Sequence, residues 1–261
     1  MTYFLSFVIS FLASIAGAIC GIGGGVVIKP LLDSFGILDV KTISFLSGCT
    51  VLAMSTYSFV VAKVKKESLV DMKTGTPLAI GAAIGGIVGK SIFQILVRSF
   101  DQNYVGAIQA GCLLIITFGT LIYTIYKAGI KTYHITNLTV CLLVGFFLGI
   151  LSSFLGIGGG PINLVVLFFF FSMPTKVAAQ NSLYIILFSQ ITSLLSSVIT
   201  ATIPAFSVFL LILMVIGGIL GGFFGRKINK KINSHKVDIL FMALMVVIIF
   251  INVYNIYRFL G

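Results

Sequence analysis

Tryptophan is absent from this 261-residue chain, and charge is scarce. Only 9% of the residues are Asp, Glu, Lys or Arg, and only six of these are acidic. A soluble domain carries roughly a quarter charged residues, so this chain cannot cover a globular surface with polar groups. The four cysteines, Cys20, Cys49, Cys112 and Cys141, lie inside apolar runs without a CxxC or a paired histidine. Neither a disulfide framework nor a zinc site is indicated, and small buried hydrophobes are the expected role. His134 and His235 fall in loops without ligand partners, and no metal or cofactor is expected. Asp33, Asp39, Glu67, Asp71, Asp101 and Asp238 all sit at or near the ends of apolar segments. No carboxylate pair is therefore placed for acid–base chemistry inside a membrane, and an enzyme is not expected. The alternation of a β-barrel strand is missing too. The first apolar run lacks a basic leader and a small-residue cleavage site, so it reads as a membrane segment rather than a cleaved signal.

What is present is apolar: 59% hydrophobic residues, with a mean hydropathy of +1.18. The expectation is an all-α integral membrane protein, because only helices satisfy their own backbone hydrogen bonds in lipid. The net charge of +11 lies mostly between apolar segments. Membrane orientation and lipid headgroups account for it more simply than nucleic acid does. Apolar segments run at 3–20, 26–37, 42–62, 76–97, 104–126, 137–155, 161–173, 177–200, 205–225 and 238–257. Most reach the roughly 20 residues a crossing helix needs. Segments 26–37 and 161–173 do not, covering about 18–20 Å of a roughly 30 Å core.

Both short segments follow a glycine cluster. Residues 20–32 read CGIGGGVVIKPLL and residues 155–167 read LGIGGGPINLVVL. A shift of 135 superposes Gly21, Gly23, Gly24 and Gly25 on Gly156, Gly158, Gly159 and Gly160, and also Lys41 on Lys176 and Ser47 on Ser182. A shift of 136 places Gly81, Gly85, Gly89 and Lys90 on Gly217, Gly221, Gly225 and Arg226. Ordered matches at nearly one shift indicate a tandem repeat, about 1–130 and 131–261.

Charge placement suggests that the halves are inverted. Loop 63–75 is rich in lysine while its counterpart 201–204 has none, and loop 226–237 is basic while its counterpart 98–103 holds Arg98 alone. Inverted halves put 63–75, 127–136 and 226–237 together on the cytoplasmic side, as the positive-inside rule wants. Inversion needs an odd number of crossings per half; segments 42–62, 76–97 and 104–126 give three, which makes each pair of segments around a glycine cluster a hairpin with its tip at 21–25 or 156–160. Both termini then lie outside. The alternative counts each hairpin as one broken helix and gives eight spans in two parallel halves.

Glycine reaches positive φ without steric cost and lets another backbone come close. A GIGGG turn thus ends one helix, begins another and leaves backbone N–H groups convergent. Pro161 suits the first position of the second half-helix, since it lacks an N–H. Helix N-termini near Val26 and Pro161–Ile162 would aim partial positive charge at a shared midplane space, which suits a small anion. Packing alone is the plainer reading of the glycines. The GGG is not a nucleotide loop, as no GKS/T follows and no strand precedes it.

Other candidate ligands lie close by. Lys29, beside the first tip, could pair with an anion or snorkel to headgroups, and Asn163 lies beside the residue that matches it in the second half. Ser44, Ser47, Ser55 and Ser58 form a polar stripe answered by Ala179, Ser182, Gln190 and Ser193, with Gln180 and Asn181 near the start of the second stripe. These could bind oxyanion oxygens or join helices. The glycine ladders 81–89 and 217–225 read as small-residue ridges for close helix crossing.

At GIGGGVVIKPLL, with Pro30-Leu31, at GIGGGPINLVVL, and at VKTISFLSGCT and TKVAAQNSLY after each hairpin, the chain resembles the TauE/SafE (TSUP) family of sulfite exporter and sulfonate permease-like proteins. It departs in lacking the later Pro of the second hairpin, in Lys29 where an apolar residue is usual, and in reading Gln180-Asn181-Ser182 where the family has a small-Thr-Ser step. The resemblance implies a secondary transporter moving small sulfur oxyanions or organosulfonates across a bacterial cytoplasmic membrane. The residues themselves imply only a small anion. A passive anion channel and a lipid-phosphate-handling membrane enzyme are the rival functions, and assembly into a homo-oligomer is left open.

Overall fold

The computed structural model of the chain describes residues 2–261, and the described residues are all helix and loop. Ten α-helices follow one another: α1 (Thr2–Cys20), α2 (Gly25–Phe35), α3 (Val40–Val64), α4 (Met72–Ser99), α5 (Gln102–Tyr126), α6 (Leu138–Leu155), α7 (Pro161–Phe171), α8 (Thr175–Ile199), α9 (Val208–Lys231) and α10 (Ser234–Leu260). Eight are long and apolar enough to cross a bilayer, while α2 and α7 have 11 residues each. Large apolar side chains such as Phe4, Ile115, Phe118 and Phe250 are exposed on the outside of the bundle. This is a multi-pass, all-α membrane protein whose solvent around its girth is lipid.

The scarce acidic residues have a job that the sequence placed but did not explain. Asp39, Asp71 and Asp101 are the N-caps of α3, α4 and α5, accepting from the backbone N–H groups of Thr42, Lys73 and Asn103 at 2.8–3.0 Å. Asn137, Ser207 and Asn233 do the same for α6, α9 and α10. Each cap satisfies a donor that the first helical turn leaves without a partner. Two of the capped helices therefore begin four residues before the apolar stretch does. α4 starts at Met72 and α10 at Ser234, where the apolar runs open at 76 and 238.

The helix ends fall into two groups. At the basic end, Glu67 after α3 receives Arg226 and Lys230 of α9 at 2.6 and 2.5 Å. Lys127 after α5 pairs with Asp238 of α10 at 2.6 Å, and Thr175 at the start of α8 donates to the same carboxylate. At the opposite end, Thr42 of α3 donates to the Ala205 carbonyl before α9, and Gln94 of α4 donates to Thr200 and Thr202 after α8. Asn255 and Arg258 of α10 donate to the carbonyls of Pro30 and Asp33 in α2.

The two short helices return to the end from which their partners enter. Tyr3 of α1 stacks edge-on against Phe209 at the start of α9, so α1 begins at the opposite end, where α2 finishes. The segment leading into α6 bonds to the last turn of α7 through Tyr133 N–H to Phe169 O and Ile135 N–H to Phe170 O, so this pair enters and leaves at the basic end. The first hairpin thus enters from one end of the bundle and the second from the other.

Glycine decides which helices lie closest. Added Cβ atoms at Gly81, Gly85 and Gly89 of α4 would strike the backbone of Leu142, Phe146 and Ile150 in α6. At Gly217, Gly221 and Gly225 of α9 they would crowd Phe7, Phe11 and Ile15 of α1. The ladders are close-crossing ridges, as their spacing suggested. Each hairpin rests on the fourth helix of the other half of the chain.

Candidate functional site

Each hairpin turns on glycines held where other residues are strained. Gly21 and Gly23 have φ of 77° and 75°, and Gly156, Gly158 and Gly159 have 66°, 74° and 144°. In the first turn, the Gly17 carbonyl accepts from the N–H groups of Gly21 and Ile22 and closes α1. Gly24 is then the N-cap of α2, its carbonyl accepting from the N–H groups of Val27 and Ile28. In the second, Gly160 is extended and Pro161 occupies the first helical position of α7. The N–H groups of Gly23–Val26 and of Gly158–Gly160 find no acceptor among the described residues. They are the donors that a helix start leaves free.

The two tips meet. Gly25 faces the Ile157 carbonyl so closely that only a residue without a Cβ fits between them. The meeting point lies beside Val51 and Ile186, each the twelfth of 25 residues in α3 and α8, and therefore midway between the two ends. These side chains fill the space that the sequence left for a solute. A Cβ on Gly23 would stand 3.4 Å from Ile186 Cδ1 and 3.5 Å from Val51 Cγ1, and one on Gly158 would stand 2.5 Å from Val51 Cγ1. Gly159 is covered by Ile186. The tips are closed in this structure, except for a narrow cleft along Ser152, Gly159, Gly160 and Asn163.

A polar shell surrounds the closed tips. The hydroxyls of Ser14, beside Gly24, of Ser44, beside Gly156, and of Ser47 are buried without a hydrogen-bond partner. Asn163 Nδ2 donates to Ser182 Oγ at 3.4 Å, while its Oδ1 is buried and unpaired. The Gln190 carboxamide lies against Gly158 and Gly48. Two half-helix starts thus converge midway between the two ends of the bundle, edged by unpaired hydroxyl and amide groups. The sulfite exporter TauE/SafE family model matches this chain over residues 6–251, through both hairpins.

The chain belongs to the TauE/SafE family. It is similar to the probable membrane transporter protein YunE of Bacillus subtilis (strain 168), with 24% identity over 214 residues that cover 74% of this chain and 77% of YunE. No solved structure matches. As a TauE/SafE protein the chain is a membrane transporter, and the matched residues include both hairpins and their tips.

Not every candidate residue reaches the tips. Asn163, Ser182 and Gln190 border them, and Ser47 lies one turn before Val51 on α3. Lys29 does not: its ammonium sits 2.6 Å from Asp33 in a pair whose side chains are 4% and 5% exposed, one turn further from the tip. Gln180 and Asn181 hold the loop between α3 and α4. Gln180 Oε1 accepts from Leu69 N–H at 2.8 Å, and Asn181 accepts from Asp71 N–H and donates to the Leu69 carbonyl. Val51 and Ile186 were absent from the sequence-based candidates because nothing separates an apolar plug from an apolar core residue in a chain this greasy. The one signal was the repeat itself, since a shift of 135 superposes them four residues beyond Ser47 and Ser182.

Proposed function

We propose that this TauE/SafE protein is a secondary transporter of a small sulfur oxyanion or organosulfonate, with sulfite the first candidate. In this reading the anion binds between the Gly23–Val26 and Gly158–Ile162 backbones. One observation carries the proposal: two opposed half-helix starts with free N–H groups meet midway across the bundle. In a low-dielectric interior such donors and the helix dipoles behind them favour negative charge. The oxyanion's remaining oxygens would be met by Ser47, Asn163, Ser182 and Gln190. The family description supplies sulfur; the backbone supplies only the sign of the charge.

The halves 1–130 and 131–261 act as inverted repeats. The basic end, with loops 63–75, 127–136 and 226–237, faces the cytoplasm of a bacterial cell under the positive-inside rule. Because each hairpin packs on the other half's glycine ladder, rocking one half against the other moves both tips together. Val51 and Ile186 withdraw alternately, one opening the tips toward each side. A closed double plug favours this over a passive channel, which needs a continuous path.

Lys29 and Asp33 brace the return arm of the first hairpin, and Gln180 with Asn181 fixes the α3–α4 loop. The experiment is uptake of radiolabelled sulfite, thiosulfate, sulfoacetate and sulfate into proteoliposomes, with and without a proton gradient. Wild type gives saturable sulfite uptake. Gly24→Val and Gly159→Val abolish it while still reaching the membrane folded, and normal flux in both variants rejects the tip site.

A further inference from the structure

We propose that a cavity at the opposite end of the bundle, floored by Lys90, is a second oxyanion site, through which the transported anion enters or leaves on the side away from the basic end. The inference rests on the transport reading above. The cavity holds about 650 Å³ of space continuous with solvent and is lined by Lys41, Lys90 and Arg98, with Gln94 and Thr202 among their neighbours. No carboxylate lines it. Lys90 is 8% exposed. Its ammonium has no carboxylate within 4.0 Å and no hydrogen-bond acceptor among the described residues, only the Phe93 ring at 5.0 Å. A lysine side chain buried to this degree is seldom left without a counter-charge, and its ammonium opens on the cavity rather than being sealed among protein atoms. An anion in the cavity would supply that charge.

The repeat sharpens the case. Lys90 and Lys41 superpose on Arg226 and Lys176, and these two line the corresponding cavity at the basic end. There the cation is already paired: Arg226 binds the Glu67 carboxylate at 2.6 Å and the Ser58 carbonyl at 3.3 Å. The same position thus carries a neutralised cation at one end and a free one at the other. The three cations of the free cavity are graded in depth. Lys41 is the second residue of α3 and Arg98 the penultimate residue of α4, both at the rim. Lys90 lies two turns further in, about 12 Å along the helix. A rim that attracts and a floor that pairs would draw a small oxyanion inward from the end of the bundle. Gln94 holds the 200–202 segment beside the cavity through Thr200 and Thr202.

An oxyanion here could be free in solution or belong to a lipid headgroup, and the proposal commits to the free one. The test uses the full chain in vesicles of neutral phosphatidylcholine, oriented by an impermeant label on a cysteine introduced in 63–75. Sulfite uptake is titrated from each face, and sulfite-induced thermal stabilisation is read in parallel. Lys90→Met is expected to raise the half-saturating sulfite concentration about tenfold or more from the Lys41–Arg98 face alone, the scale of one lost charge-assisted hydrogen bond. Lys90→Arg restores it, and Arg226→Met leaves that face unchanged. Lys41→Met, at a half-buried helix start, shifts it in the same direction and guards against a misfolded Lys90 variant. Sulfite still stabilises Gly159→Val, which does not transport, and fails to stabilise the Gly159→Val, Lys90→Met double variant. Unchanged half-saturation in folded Lys90→Met and Lys41→Met overturns the proposal while leaving the tip site standing. Occupancy that appears only with anionic lipid, and not with free sulfite, overturns it as well. Normal flux in both Gly24→Val and Gly159→Val would instead strike the tip reading, and the stabilisation assay would still report on Lys90.

Discussion

Gly25→Ala is the substitution for which the structure and general helix rules disagree most. Gly25 is the first residue of α2 and has an ordinary helical backbone. By propensity alone, alanine should stabilise the helix there by about 1 kcal/mol. The structure says otherwise. The new Cβ would lie 2.0 Å from the Ile157 carbonyl oxygen, 2.6 Å from its carbon and 2.9 Å from Val51 Cγ2. Real Cβ atoms essentially never come within 3.0 Å of such neighbours, so the two tips must separate by about 1 Å. The obstacle is backbone, which cannot swing aside. Overpacking of this kind costs about 1–3 kcal/mol, which cancels or exceeds the propensity gain and pulls apart the two sets of N–H donors. Gly160→Ala is the matched control at the equivalent position. Its Cβ would meet only Ile157 Cδ1 at 3.4 Å, on extended backbone that any residue adopts. We expect Gly25→Ala to lose sulfite uptake by roughly tenfold or more, a decade being 1.4 kcal/mol, while Gly160→Ala stays within about twofold of wild type and melts within about 0.5 kcal/mol of it. Initial rates in proteoliposomes and thermal melting in detergent measure both. Equal uptake and equal melting of the two variants would refute the apposed-tip argument.

Three further outcomes follow from particular contacts. Asp33→Asn leaves Lys29 buried without its charge partner and should destabilise by about 3–5 kcal/mol, whereas the double change Lys29→Met, Asp33→Leu should fall much closer to wild type; melting curves distinguish a bracing pair from a substrate site, which would lose uptake in both. Val51→Ala with Ile186→Ala removes both plugs, so sulfite should leak down its gradient without saturating, and a tight, saturable double variant would show that these side chains do not gate. Glu67 is held below its ordinary value of 4.5 by hydrogen bonds and charge from Lys230 and Arg226. A depressed carboxylate contributes stability above pH 4.5 that fades as pH falls through its lowered value, so the wild-type melting temperature should drop toward that of Glu67→Gln only below about pH 4.5, with the two curves parallel in acid.

Much of this fold is legible in the sequence, for physical reasons that also explain where legibility stops. Glycine clusters followed by arms too short to cross lipid leave few arrangements, and the hairpins Thr2–Phe35 and Leu138–Phe171 are what those arms become. Pro161 at the first position of α7 follows from its missing N–H. The spacing of Gly81, Gly85 and Gly89 says that some helix comes close, but a periodicity names a face and not its partner; that α6 fills this ridge and α1 the other is long-range information. Gln180 and Asn181 looked like ligands because polar groups are rare here. Their place in the second turn of α8 sets them near the membrane surface, where the α3–α4 loop takes up their hydrogen bonds. For Lys29 the signal was present in the sequence, since Asp33 stands four residues on, the spacing at which helical side chains meet. Val51 and Ile186 carried no local mark, because burial of a branched apolar residue is the rule in such a chain.

The central claim is that two main-chain tips hold a small anion at mid-membrane. A structure solved with selenite, whose selenium scatters anomalously and whose oxyanion resembles sulfite, tests it most directly. The account predicts an anomalous peak between the Gly23–Val26 and Gly158–Ile162 backbones, with Val51 or Ile186 displaced from its present place. Transport-competent protein with closed tips and no selenium there at saturating selenite would contradict it.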